Sequence, residues 1–209
     1  ENLGRGVVAV RTGTTSAFIS WRLLGLDPAD IGFNVYRSTA GGTAVKLNSV
    51  VLSAGTNYTD ANINFAQSNA YYVKPVVNGN EQVASGSFTL SANTITEPCV
   101  VVPLRTPIAG YYTRYVLVGD LDGDSEYDYV LDRIAPFDST NNDKGLGNQK
   151  IEAYKRDGTF LWEVDLGPTS TNTYNITPGA ATIDMGHWDG WTVFDMDNDG
   201  KAEVLLKTA

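Results

Sequence analysis

The stretch Asp195-Met-Asp-Asn-Asp-Gly-Lys-Ala-Glu203 places carboxylates at its first, third, fifth and ninth positions. The stretch Asp120-Leu-Asp-Gly-Asp-Ser-Glu-Tyr-Asp128 has the same spacing 75 positions earlier (195 − 120). Calcium takes roughly six to eight oxygen ligands from a flexible loop, and alternate residues of such a turn direct their side chains inward. Both stretches therefore predict calcium-binding loops, which we call the first loop (120–128) and the second loop (195–203).

The predicted calcium ligands are the four carboxylates of each loop and the backbone carbonyl at its seventh position. They belong to Asp120, Asp122, Asp124, Glu126 and Asp128 in the first loop, and to Asp195, Asp197, Asp199, Lys201 and Glu203 in the second. Gly200, at the sixth position, tolerates the positive φ of a sharp turn, and Ser125 holds that place in the first loop. The alternative for one such stretch is a hairpin turn whose Asp and Asn side chains bond their own backbone. Two stretches in one register favour calcium.

The flanking sequence distinguishes these loops from EF-hands. An EF-hand has a bidentate Glu at position twelve and a helix on either side. Leu131 and Leu206 occupy that position here. Each loop continues into an apolar segment, Tyr-Val-Leu or Val-Leu-Leu, of the kind that predicts a strand. We therefore expect calcium loops between strands.

The composition limits the classes of partner. The chain carries 24 acidic and 15 basic residues for a net charge of −9, and the two loops hold nine carboxylates when Glu126 is counted. Two bound calcium ions would offset four of these negative charges. An acidic chain without a basic face predicts no nucleic-acid partner. No apolar run approaches the roughly 20 residues that a membrane helix requires, so no membrane partner is expected.

Length and cysteine content add further limits. The 209 residues suffice for two units with a sizeable core. Cys99 is the only cysteine, which excludes an intrachain disulfide. Weak calcium loops fill at millimolar calcium, so we expect a secreted protein, extracellular or periplasmic.

Residues 1–95 contain short β-rich segments at intervals typical of a β-sandwich. The predicted strands are Gly6–Arg11, Ser16–Leu24, Gly32–Ser38, Thr43–Leu47, Asn57–Asp60, Ala70–Val77 and Gln82–Leu90. Alternation in the second of these directs Ala17, Ile19, Trp21 and Leu23 towards the core, so Trp21 is expected inside and not as a sugar platform. The segment Ala70–Val77 resembles a later strand of a fibronectin type III domain. We expect an all-β, fibronectin type III-like β-sandwich.

Residues 96–209 predict part of a β-propeller. Strands Tyr111–Val118 and Tyr127–Arg133 flank the first loop, Phe137–Gly147 is predicted as a long surface loop, and Lys150–Lys155 pairs with Thr159–Asp165 around Arg156-Asp-Gly. Strand, acidic loop, strand and hairpin, followed by a second acidic loop, indicate a repeated four-stranded blade. The segment holds fewer than three blades, and blades need neighbours round a ring.

Motifs in order along the chain resemble one family. They are Glu1-Asn-Leu-Gly-Arg-Gly-Val-Val-Ala-Val10, Ser20-Trp-Arg-Leu-Leu-Gly25, Phe33-Asn-Val-Tyr-Arg37, Val118-Gly-Asp-Leu-Asp-Gly-Asp124, Asp157-Gly-Thr-Phe-Leu-Trp162 and Asp184-Met-Gly-His-Trp-Asp-Gly190. With the loops, they look like the rhamnogalacturonan lyases of polysaccharide lyase family eleven over nearly the whole chain. The resemblance implies a secreted enzyme with a fibronectin-like domain and an eight-bladed propeller lined with calcium ions. Such enzymes cleave the rhamnose-galacturonate backbone of pectin by β-elimination.

Family members are longer than this chain. We therefore expect the remaining blades to lie on a second chain or a cleaved segment, and this polypeptide alone to be inactive. β-Elimination needs the uronate carboxylate neutralised, which calcium or Arg can do, and its α-proton removed by a Lys, His, Tyr or Arg. The candidate substrate-binding residues are Arg114, Asp132, Arg133, His187, Trp188, Asp189, Trp191 and Lys207. No general base is assigned.

Structural alternatives exist for these candidates. Arg114, Asp132, Arg133 and Lys207 can be solvated strand ends or ion pairs between blades. His187, the only histidine, can bond a loop carbonyl or carboxylate, and Trp188 and Trp191 can wedge between blades. The alternative function is a non-catalytic calcium-loop propeller, resembling the integrin head, that binds carbohydrate or protein.

Overall fold

A computed structural model of the chain describes residues 2–105, 110–138, 140–171 and 191–206. The chain divides into two compact units, one spanning Leu3–Val101 and the other formed by Asn2 and the described residues from Val102 onward. The boundary predicted from the sequence, between residues 95 and 96, lies in the segment after the last strand of the first unit. The predicted all-β class is confirmed, because the described elements are strands apart from one 3₁₀ turn, Pro168–Thr171. Within the described ranges, no helix has the length and apolarity to cross a membrane.

The first unit consists of antiparallel strands in two sheets. Its strands are β1 (Val8–Arg11), β2 (Ala17–Ser20), β3 (Gly32–Thr39), β4 (Val45–Lys46), β5 (Asn57–Asp60), β6 (Asn69–Val77), β7 (Asn80–Glu81) and β8 (Phe88–Leu90). One sheet has the order β1-β2-β5, and the other has the order β4-β3-β6-β7 with β8 also paired to β6. The longest pairing joins β3 to β6, from Gly32 opposite Val76 to Thr39 opposite Asn69.

The core of the first unit is built by alternating side chains. Every second residue of a strand lies on the same face of its sheet, and β6 accordingly alternates between buried and half-buried residues. Trp21 lies inside as predicted, with its ring centroid 5.4 Å from that of Phe33. Leu23 was expected on the same face and is exposed. The alternation fails there because β2 ends at Ser20.

The predicted strands of the first unit overlap the observed ones, with two marked differences in length. The segment predicted as Ser16–Leu24 is a strand only at Ala17–Ser20. The segment predicted as Gln82–Leu90 is a strand only at Phe88–Leu90. The chain instead leaves β6 through a two-residue turn at Asn78 and Gly79, both at positive φ, which pairs Val77 with Asn80. Such turns match the twist of the strands that they join.

The second unit carries both acidic loops between strands. Its described strands are β9 (Val116–Gly119), β10 (Asp128–Arg133), β11 (Phe137–Asp138), β12 (Asn141–Gly145), β13 (Lys150–Tyr154), β14 (Phe160–Asp165), β15 (Trp191–Phe194) and β16 (Glu203–Leu206). Four of them form an antiparallel sheet in the order β14-β13-β10-β9, and β15 pairs with β16. The first loop joins β9 to β10, and the second joins β15 to β16.

The prediction that Phe137–Gly147 forms a long surface loop is wrong. Strands β11 and β12 pair within it, with Phe137 opposite Gly145 and Asp138 opposite Asn141. The sequence concealed this hairpin because its Asp, Asn and Gly residues have low strand propensity. Backbone pairing forms the short ladder without an apolar alternation.

Apolar residues on one face of the four-stranded sheet form the core of the second unit. Val130, Ile151 and Ala153 are buried there. The β15–β16 hairpin packs against them through Trp191, Val193, Val204 and Leu206. On the opposite face of that hairpin, Phe194 and Leu205 are each 61% exposed. The packing therefore places the two acidic loops in the same compact unit.

Candidate metal centres

The first carboxylate of each loop is bonded by amides of the turn that follows it. Asp120 Oδ1 accepts from the amides of Gly123 and Asp124 at 2.8 and 3.1 Å, and its Oδ2 accepts from Ser125 at 2.7 Å. Asp195 accepts in the same way from Asp199 and Gly200, at 3.1 Å each. Both carboxylates are buried. Each turn is thus wrapped around its first acidic residue.

The ninth residue closes each loop onto its second. Asp128 Oδ2 accepts from the amide of Leu121 at 3.0 Å, and Glu203 Oε2 accepts from the amide of Met196 at 2.8 Å. The longer Glu and the shorter Asp therefore occupy the same role. Burial raises the pKa of Asp128 to about 6, and the negative charges of Asp122 and Asp124 act in the same direction.

The third and fifth residues bond backbone amides two positions on. Asp122 Oδ1 accepts from Asp124 at 3.2 Å, and Asp197 Oδ1 accepts from Asp199 at 3.1 Å. Asp124 makes the equivalent bond to Glu126 at 2.9 Å. These are the turns by which Asp side chains stabilise hairpins. The turn bonding weighed as an alternative is therefore present, and it leaves other lone pairs of the carboxylates for a cation.

Two groups of carboxylate oxygens converge within the loops. Oxygens of Asp120, Asp122 and Asp128 lie within 4.8 Å of one another, and so do those of Asp195, Asp197 and Asp199. A hard cation such as calcium is bound by oxygen ligands of this kind. The donor chemistry of both groups therefore fits calcium, with Asp124, Glu126, Lys201 and Glu203 adjacent as further predicted ligands.

Backbone conformation in the two loops follows one pattern. The sixth residues, Ser125 and Gly200, have φ of 70° and 95°, as the sequence predicted for Gly200. The fourth residues, Gly123 and Asn198, also have positive φ, at 82° and 61°. Gly and Asn are the residues that adopt this region most readily. The positive φ at position four was not predicted, although both residue types signal it.

The structure also brings together two basic residues that the sequence analysis missed. Lys155 forms ion pairs with Asp122 and Asp124, the latter at 2.9 Å, and Arg156 lies 3.4 Å from Glu126. Both come from the β13–β14 turn, where the sequence predicted Lys155 as the end of a strand and Arg156 as the start of a tight turn. The adjacent positive charges of Lys155 and Arg156 could have signalled contact with acidic residues. Which carboxylates they contact depends on the tertiary structure.

Asp132 is a fully buried candidate at the end of β10. Its Oδ1 accepts from the backbone amides of Arg114 and Tyr115 at 2.7 and 2.8 Å. Its Oδ2 has no hydrogen-bond partner among the residues that the structure describes. Burial raises the pKa of Asp132, and the two amides act in the opposite direction. Asp132 thus positions the backbone of Arg114, whose own side chain is exposed.

Arg133 is a buried candidate that pairs with charges of the neighbouring strand. Its Nη1 lies 3.4 Å from Glu152 Oε2, which also accepts from the hydroxyl of Tyr154 at 2.7 Å. Arg105 reaches the other oxygen of Glu152 at 3.3 Å. Arg133 and Asp132 are consecutive in β10 and therefore point to opposite faces of the sheet. The structure does not bring these two side chains together.

The remaining candidates divide between core and undescribed positions. Trp191 is half-buried and packs on the core of the second unit. His187, Trp188, Asp189 and Lys207 lie outside the described residues. Their assignment as substrate-binding residues stays a prediction.

The strands and paired acidic loops define an all-β protein with candidate metal centres. Family models match nearly all of it: that of the rhamnogalacturonan I lyases beta-sheet domain covers residues 1–90, and that of the rhamnogalacturonan lyase family 11 C-terminal domain covers residues 102–209. The chain therefore belongs to rhamnogalacturonan lyase family 11, which confirms the family that the sequence motifs indicated.

Two curated relatives align with the whole chain. Rhamnogalacturonan endolyase YesW of Bacillus subtilis (strain 168) is 40% identical over 220 aligned residues, which cover 100% of this chain and 31% of the relative. Rhamnogalacturonan exolyase YesX of the same organism is 34% identical, covering 100% of this chain and 32% of the relative. The chain thus spans about a third of the length of these relatives. A solved myokine structure matches 44% of this chain and 96% of its own with 15% identity and a TM-score of 0.36, which carries no argument about function.

Proposed function

We propose that this chain is the N-terminal portion of a calcium-dependent lyase that cleaves rhamnogalacturonan by β-elimination. The observation that carries the proposal is the 40% identity to a rhamnogalacturonan endolyase over the whole chain. The two acidic loops of shared geometry support the calcium dependence. A secreted location follows from the same argument, because weak calcium loops fill at the millimolar calcium found outside cells.

The topology supports a more specific architecture for each unit. Sheets of order β1-β2-β5 and β4-β3-β6 with β8 are consistent with a fibronectin type III-like sandwich. In the second unit, a four-stranded antiparallel sheet packs against a hairpin with an equivalent acidic loop, as neighbouring blades of a propeller do. The rest of the propeller would then be supplied by the remainder of the longer protein, on a second chain or a cleaved segment.

The acidic loops would hold calcium through Asp120, Asp122 and Asp128 in the first and Asp195, Asp197 and Asp199 in the second. When bound, calcium supplies positive charge that can brace adjacent sheets or neutralise a uronate. The chain's own carboxylates fix where that charge lies, since amides of each turn orient them.

The substrate side of the proposal concerns the end of β10. Asp132 orients the backbone at Arg114, and the exposed guanidinium of Arg114 can face an acidic sugar. An arginine so placed stabilises the enolate charge that develops as a uronate loses its α-proton. No residue of this chain is assigned to remove the proton, and we propose that this group lies in the remainder of the protein.

The test is release of unsaturated uronate from rhamnogalacturonan, followed by ultraviolet absorbance. We expect release by the full-length protein in calcium, loss after chelation, recovery when calcium is returned, and no release by residues 1–209 alone. Polygalacturonate, which lacks rhamnose, serves as the control substrate. No product from the full-length protein in calcium would contradict the lyase assignment.

The alternative is a non-catalytic binding module, which the calcium-loop geometry alone fits equally well. It predicts retention on immobilised rhamnogalacturonan without product, and mass analysis of the purified protein would show whether a second segment accompanies this chain. The full-chain identity to two lyases favours the enzyme.

A further inference from the structure

Lys155 is a cation of the chain that lies on the first acidic loop. Its ammonium forms ion pairs with Asp122 Oδ2 and, at 2.9 Å, with Asp124 Oδ2. A lysine side chain is charged at neutral pH. The lysine comes from the β13–β14 turn, 31 positions after Asp124.

The turn that carries Lys155 is held by its own backbone. The amide of Lys155 donates to Thr159 O at 2.8 Å, and the amide of Gly158 donates to Lys155 O at 2.9 Å. The backbone of the turn is therefore fixed, and the ammonium can change position by rotation of its four-carbon side chain.

Lys155 and a metal ion would share a ligand. Asp122 also belongs to the group of oxygens, with Asp120 and Asp128, that lie within 4.8 Å of one another. A calcium ion bound there would approach Asp122 to roughly 2.3–2.6 Å. An ammonium bonded to the same carboxylate would be repelled by the ion at a separation of a few ångströms.

We propose that Lys155 is a built-in competitor of the cation at the first loop. Its ammonium lowers the calcium affinity of that loop and leaves Asp122 and Asp124 when calcium binds. This inference rests on the proposed binding of calcium to the first loop. It adds a residue that tunes the calcium concentration at which the loop fills.

A purely structural role for Lys155 has the opposite consequence. If the ammonium served to hold Asp122 and Asp124 in a binding geometry, removing it would loosen the loop and weaken calcium binding. If it competes, removing it strengthens calcium binding. The sign of the change in affinity therefore separates the two roles.

The experiment is calorimetric titration with calcium of residues 1–209 carrying Asp197→Asn and Asp199→Asn, so that the first loop dominates the signal. We expect Lys155→Met to tighten calcium binding about three- to ten-fold, a range set by partly exposed ion pairs. Lys155→Arg, which keeps the charge, should bind within about two-fold of the parent. Lys150→Met is the matched control. Lys150 also belongs to the β13–β14 pair of strands, but it pairs with Glu163 at 2.8 Å and, in the described part of the chain, not with Asp122 or Asp124.

A second measurement follows the side chain itself. Amine acetylation of Lys155, quantified by mass spectrometry in the parent chain with both loops intact, should accelerate several-fold at saturating calcium, while acetylation of Lys150 stays constant. This measurement also serves if the Asn substitutions prevent folding. Acetylation of Lys155 that calcium leaves unchanged overturns the inference.

The affinity outcomes separate the inference from the proposal on which it rests. Calcium binding by the parent, with equal or weaker binding by Lys155→Met, overturns the role of Lys155 and leaves the calcium proposal intact. Absence of calcium binding by every variant and by the intact chain at millimolar calcium overturns both.

Discussion

The amide of Ala202, in the second loop, donates a 2.6 Å hydrogen bond to the backbone carbonyl of Asp120, in the first. Ala202 is buried, and the side chain of Lys201 beside it lies over Gly123. The two candidate centres are thus joined through backbone. The bond attaches the second loop to the backbone of Asp120, the first predicted ligand of the first loop.

Replacing Ala202 with proline tests this connection. Proline lacks the N–H, so the carbonyl of Asp120 loses its partner, and we expect the second unit to lose about 1 kcal/mol or more of unfolding free energy. Ala202→Ser keeps the amide and is the control. Urea denaturation at fixed calcium measures both, and equal stability of the two variants would show that the bond contributes nothing.

The backbone of the second loop can be tested at Gly200. Its φ is +95° and a Cβ there would meet no atom within 4 Å, so Gly200→Ala isolates backbone strain. We expect a loss of about 1 kcal/mol in unfolding free energy. Gly25→Ala is the matched control, since that glycine also has open space but no positive φ. Thermal unfolding of the two variants should differ by a few degrees, and identical melting would contradict the expectation.

Asp132 gives the second unit a defined pH dependence. Its folded-state pKa is raised by burial, so its contribution to stability is fully present below the unfolded value of about 4 and is lost as pH rises through the folded value. Asp132→Asn removes this loss. We expect the free energy of unfolding of the Asn variant to exceed that of the wild type by up to about 1 kcal/mol at pH 7. This difference should disappear towards pH 4.

The control for this titration is Asp132→Ala. It removes the acceptor of two amides, those of Arg114 and Tyr115, and should cost about 1–3 kcal/mol at either pH. Denaturant unfolding at pH 4 and pH 7 provides the comparison. A pH profile of the Asn variant parallel to that of the wild type would exclude Asp132 as the titrating group.

Trp21 tests the core of the first unit. The ring is 5% exposed and packs on Phe33, so Trp21→Ala should cost about 3–5 kcal/mol. Trp21→Phe should cost much less, because it keeps the aromatic contact and removes a buried Nε1 that has no partner in the described part of the chain. Denaturant unfolding measures the loss of stability in both variants. The folded Phe variant should bind rhamnogalacturonan as the wild type does. Loss of binding there would assign Trp21 to sugar recognition.

The sequence predicted the features that are local in the chain. The spacing of Asp120, Asp122 and Asp128 places their oxygens together because nine consecutive residues form a single turn. Alternation likewise placed Ala17, Ile19 and Trp21 inside. In each case the deciding interaction lies within a few residues or along one strand.

The local hairpin β11–β12 was missed because its sequence has no apolar alternation to signal a strand. Features that depend on distant pairing were not predictable either. Lys155 reaches Asp122 because β13 pairs with β10 beside the first loop, which no local pattern in the turn reveals. Arg133, a substrate-binding candidate whose alternatives were a solvated strand end or an ion pair, is buried against Glu152 because β13 pairs with β10.

The hairpin β15–β16 has apolar side chains on both faces. Two strands alone cannot bury these side chains, so in isolation both faces would be in contact with water. An isolated two-stranded ribbon is marginal in water, so its order derives from Val130, Ile151 and Ala153 behind it. The second unit will consequently melt as one cooperative block, in which the second loop disappears with the sheet that carries the first.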